Sequence, residues 1–101
     1  MQGHFDYFAE KERQQASERW RREQAKLLPD LTRRVFALRE VTYSGCGFHY
    51  ALEASLGRLI TGIMQYDSVL TVAERISLEI GIEMLIEKIG EAEASVIQTE
   101  A

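Results

Sequence analysis

The chain has 101 residues, 46% of them hydrophobic, and a formal net charge of −4 at pH 7. That length and apolar content suit one domain with a small core and argue against wholesale disorder, while apolar runs of only a few residues fall far short of the roughly 18 that span a bilayer. A single cysteine, Cys46, excludes an intrachain disulfide, and the opening MQGHFDYFAEKERQQ lacks the pattern of a secretory signal, so the expected setting is the cytoplasm.

Charge is divided unevenly. Through Arg39 there are nine Lys or Arg against six acids, and from Glu40 onward three bases against ten acids, so a basic half precedes an acidic one. Such halves attract each other within a chain or between chains.

Taken in chain order, the pattern predicts an all-α protein of four helices forming a single domain over residues 1–101. Asp6 can cap a first helix running to about Leu27, which Pro29 ends because proline lacks an amide donor and clashes with the preceding turn. Its apolar stripe, Phe5, Phe8, Ala9, Ala16, Trp20 and Leu27, is thin and is interrupted by Glu12 and Glu23. Residues 1–28 therefore read as a helical arm that packs by its ends and by Trp20, or that wraps a partner. Residues 30–99 read as the helical core.

Asp30 is a natural N-cap for the second helix, LTRRVFALREV, whose Leu31, Val35 and Leu38 share a face with Val41 or Thr42. YSGCG breaks the pattern at Gly45 and Gly47. The third helix, FHYALEASLGRLITGIMQY, repeats Phe48, Leu52, Leu56, Leu59 and Ile63 at helical spacing. Gly57 and Gly62 inside it suggest close approach of another helix. Thr71 and Glu74 then form a Thr-x-x-Glu capping box that opens the fourth helix, TVAERISLEIGIEMLIEKIGEAEASV. Its even positions from Ile76 to Ile86 are all apolar, which is also the period of a half-buried strand. The capping box, the lack of a second clear strand and the helical propensity of the continuation MLIEKIGEAEASV favour a helix.

At 100° per residue this helix carries two apolar stripes. Leu78, Ile82, Leu85, Ile89, Ala92 and Val96 form a heptad-spaced seam, and Ala73, Ile76, Ile80 and Met84 lie nearly opposite. Glu79, Glu83 and Glu87 mark one polar edge. A helix that is apolar on two sides must be covered on two sides. Helices two and three can cover one; the other calls for helix one or a second molecule, so an intertwined or packed homodimer is expected, with Leu78, Ile82, Leu85 and Ile89 as the self-association seam. The competing expectation is a monomeric four-helix bundle with the fourth helix at its centre.

Little in the chain points to chemistry. Cys46 and His49 have Cys-x-x-His spacing, but a tetrahedral metal site needs four ligands and the only other histidine is His4; a nucleophile site also needs an orienting third group. SGCGFHY has neither a GxGxxG nor a Walker pattern. The Glu79, Glu83, Glu87 edge lacks a Glu-x-x-His companion and reads as a solvated face or an arginine contact. No catalytic, cofactor or metal residues are assigned, and the protein is not expected to be an enzyme.

The run ERWRREQAK sets Arg19, Arg22 and Lys26 beside Trp20. Cation and aromatic together can serve nucleic acid, the alternative function for this chain, but interspersed glutamates and a pI near 5.2 favour a protein partner. Phe5, Phe8, Arg19, Trp20 and Arg22 are the candidate partner contacts, Trp and Arg being enriched at interface hot spots.

An acidic, all-helical chain of this size, with the long arm HFDYFAEKERQQASERWRREQAK and an Ile/Leu-rich C-terminal helix, resembles the small bacterial antiactivators that sequester quorum-sensing transcription regulators of the LuxR type. The resemblance implies a homodimer that binds the regulator's ligand-binding domain and blocks its dimerisation. The expected function is accordingly a non-enzymatic regulatory protein that binds and inhibits or sequesters a protein partner.

Overall fold

The computed structural model describes residues 2–41, 48–64 and 69–100, with the side chains of residues 7–40, 50–64 and 69–96. The described residues form four helices: α1 (Gln2–Ala25), α2 (Leu28–Val41), α3 (Phe48–Met64) and α4 (Val72–Glu100). The described residues contain no strand, so the protein is all-α. None of the helices is long and apolar enough to cross a membrane, among the described residues.

The start of α4 follows the capping-box chemistry directly. Thr71 Oγ1 accepts from the Glu74 amide at 3.1 Å, and Glu74 Oε1 accepts from the Thr71 amide at 3.3 Å, which satisfies two donors that a helix end leaves open. The α1–α2 junction departs from expectation. α1 ends at Ala25, and α2 begins at Leu28 rather than after an Asp30 cap, with only Lys26 and Leu27 forming a turn between them. Pro29 sits in the first turn of α2, where a missing amide donor costs nothing, and Asp30 pairs with Arg33 one turn on. Likewise α1 begins at Gln2, so Asp6 lies inside it rather than capping it.

Two cross-helix contacts fix the topology. Trp20 Nε1 donates to Glu79 at 2.6 Å, and the Arg34 guanidinium grips the Glu93 carboxylate through bonds of 3.0 and 2.5 Å. Both join residues 59 apart, one from α1 and one from α2, so α1 and α2 run in one register alongside α4 and parallel to it. α3 returns antiparallel between them. Arg39 near the end of α2 meets Glu53 early in α3, and Leu59 and Gly62 of α3 lie against Gly81 and Leu78 of α4. The Arg34 guanidinium, chiefly by its hydrogen bonds, holds the Glu93 carboxyl below the usual carboxylate range. That pair therefore adds stability above the unfolded-state pKa of Glu93 and loses it as pH falls through the folded one.

The core is a seam between α2, α3 and α4: Leu31, Val35 and Leu38 meet Leu52, Leu56, Leu59 and Ile63, and both meet Ile82, Leu85, Ile89 and Ala92. Each of the large aliphatic side chains contributes about 1.5–3 kcal/mol by leaving water. The apparent strand period of α4 is resolved here. Leu78 and Ile82 turn toward this core while Ile76, Ile80 and Met84 turn away, so the even positions serve two opposite faces of one helix.

At Gly62 the α3–α4 approach is close: a Cβ there would lie 2.7 Å from Leu78 Cδ2, so the Leu78 side chain would have to turn aside to admit one. At Gly57 a Cβ meets nothing within 4 Å. Gly57→Ala is therefore expected to stabilise the fold by about 1 kcal/mol through helix propensity, read as a raised Tm, and an unchanged or lowered Tm would contradict the open space around it.

Candidate protein-interaction surfaces

On α1, helical geometry divides the side chains into an inner and an outer face. Ser17 and Arg21 are buried, with Leu28 further along the same line, and the Leu70 amide donates to Ser17 Oγ at 3.2 Å. Phe8, Arg19 and Arg22, three of the expected partner contacts, are all on the opposite, exposed face, with Phe8 about three turns from Arg19. Trp20 does not join them. Its ring packs against the core and its indole nitrogen is bound to Glu79, so it is a joint between α1 and α4 and offers no free stacking platform. The side chain of Phe5 lies outside the described residues, as do Cys46 and the side chain of His49.

From Tyr7 to Gln15 every residue of α1 is exposed. This stretch carries an edge-to-face aromatic pair, Tyr7 and Phe8, with ring centroids 5.7 Å apart. Arg21 is not singled out by the sequence, because it stands in a run of exposed cations, yet only 2% of its surface is accessible. Its position one helical turn from Ser17 is the available signal.

The second surface is on the far side of the α3–α4 hairpin. Ile82, Leu85 and Ile89 are buried within the chain and Leu78 packs against them, so the seam expected for self-association is covered by α2 and α3 and is unavailable to a second molecule. The physical reason is length. α2 and α3 together run alongside most of α4 and bring enough leucine and valine to close that side. The opposite stripe stays open: Ile76 and Ile80 are each 51% exposed and Met84 56%. Beside it lies a groove of about 820 Å³ between α3 and α4, with Ala51, Ser55, Ser77 and Gly81 as its small residues and Arg58 and Lys88 among its lining.

The acidic edge is split. Glu79 is taken by Trp20, whereas Glu83 and Glu87 remain exposed beside the open stripe. Among the described residues no group of three His, Cys, Asp or Glu is placed to hold a metal ion.

The chain matches no family model, no curated protein and no solved structure. Its two surfaces are therefore the ground on which a function rests.

Proposed function

We propose that the protein is a non-enzymatic regulator that acts by stoichiometric binding to a protein partner, in the manner of the antiactivators that sequester LuxR-type regulators. The observation that supports this is the projecting half of α1. A helix of this length is marginal in water by itself, and the arm from Tyr7 to Gln15 is exposed at every position while presenting an aromatic pair. Aromatic and arginine side chains on one face, here Phe8, Arg19 and Arg22, are what interface hot spots are made of.

Titration calorimetry of the ligand-binding domain of a LuxR-type regulator with the full chain tests it. Saturation at one chain per domain is expected, with a nanomolar to micromolar Kd that Phe8→Ala weakens about tenfold or more while leaving the helical circular dichroism intact. A flat isotherm overturns the antiactivator assignment. Binding that Phe8→Ala leaves unchanged removes the arm from it.

A further inference from the structure

The groove between α3 and α4 is lined by residues of those two helices alone and has no part in partner binding through α1. Its floor is the outer edge of the core: Leu52, Leu59 and Leu85 line it, and the exposed Met84 adds a thioether that adapts to what it meets. Ser55, Ser77 and Gly81 keep it open, since larger side chains at these positions would fill it. At about 820 Å³ it falls within the range of small-molecule sites, and from Ser77 to Lys88 it runs about 16 Å along α4.

The charge of the groove is opposite to that of the sequence around it. From Glu40 onward the chain has ten acids and three bases, yet two of those bases, Arg58 and Lys88, line the groove and, among the described residues, no acid does. The two cations are also gathered toward one end. A Cβ on Gly81 would lie 3.0 Å from Leu59 Cδ2, which sets these two residues at one level of the antiparallel α3–α4 pair. Ser55, four residues before Leu59, and Lys88, seven after Gly81, therefore lie about 6 and 10 Å from that level in the same direction. Arg58 Nη2 donates to Ser55 Oγ at 3.2 Å, which draws the guanidinium toward that end as well. Around Ser77 and Leu78, at the other end, no charged side chain lines the groove among the described residues.

We propose that the groove binds a single-chain fatty acid, with its carboxylate between Arg58 and Lys88 and its tail running over the leucine floor toward Ser77. Guanidinium and ammonium groups form charge-assisted hydrogen bonds with a carboxylate, and each methylene laid on the leucines leaves water. A partner helix would call for charge along the length of its edges, and a planar ring for an aromatic wall. The groove has its charge at one end, and among the described residues no aromatic side chain lines it. Lys88 contacts Glu91 at 3.6 Å in an exposed pair that is given up at little cost.

Calorimetric titration of the full chain with dodecanoate, kept below its micelle threshold, tests this. One molecule per chain is expected, with a micromolar Kd, and dodecyltrimethylammonium, the same tail under a cationic head, is expected to bind about tenfold more weakly or not at all. Ser55→Phe, which fills the middle of the groove, should abolish binding. Arg58→Gln combined with Lys88→Gln, both at exposed positions, should keep the helical circular dichroism and erase the preference for the anionic head. Equal affinity for the two heads in the unsubstituted chain overturns the site, as does a preference that survives the paired glutamine substitutions or dodecanoate binding that survives in a folded Ser55→Phe. Heat that never saturates at one equivalent is surfactant uptake and overturns it too. A flat isotherm with dodecanoate does the same, and a doubled mass in light scattering beside it would give the groove to a second copy. If Ser55→Phe does not fold, the paired variant decides.

Discussion

Leu85→Arg is expected to unfold the chain. Leu85 is 2% exposed and sits where α2, α3 and α4 converge. Truncating such a leucine costs about 2–5 kcal/mol by itself, and placing an unpaired guanidinium there adds several more. Against a total stability of about 5–15 kcal/mol for a domain of this size, little is left. Circular dichroism should show loss of most helical signal and of a cooperative melt. A folded, monomeric Leu85→Arg would mean that the seam is an interface after all. Ile80→Arg, one turn away on the opposite stripe, should keep its helical signal, so the pair of variants separates the inner side of α4 from the outer.

Arg21→Glu is expected to cost on the order of 3–5 kcal/mol, the scale for reversing a charge inside a packed environment. Arg21 is as inaccessible as Ser17, although its neighbours Arg19 and Arg22 are open to water. Arg22→Glu on the outer face should by comparison change stability by about 0.5 kcal/mol or less. Chemical denaturation of both variants reads the difference through the midpoint. Equal midpoints would show that the inner face of α1 does not hold Arg21. The contrast also bears on the basic run as a whole, since one of its cations belongs to the fold and cannot meet a ligand.

The sequence made the helices legible because they announce themselves locally. Thr71 and Glu74 sit three apart before an apolar run, and Leu52, Leu56, Leu59 and Ile63 recur at a period only a helix uses. It also revealed that α4 has two apolar sides. Which side faces inward was a question of tertiary arrangement, and periodicity carries no information on it: Leu85 and Ile80 are equally apolar, and only the placement of α2 and α3 distinguishes them. The same limit explains Trp20 and Arg21. An aromatic beside arginines reads as a surface feature, but their angular positions, next to Ser17 rather than Phe8, turn both toward the chain's own interior. Gly57 and Gly62 looked alike for a similar reason, and only Gly62 faces a neighbouring helix.

The parallel course of α1 and α2 beside α4 leaves a molecule 68 Å long and only 19 by 18 Å across. Its radius of gyration is 17.7 Å, where a compact chain of about 100 residues would have about 13 Å. Such a rod meets more hydrodynamic drag than a sphere of equal mass and tumbles at different rates about its long and short axes. On a sizing column a lone chain will elute early, in the place of a larger globular protein. Assembly state in this molecule is therefore to be read from scattered intensity or sedimentation equilibrium, which report mass without reference to shape.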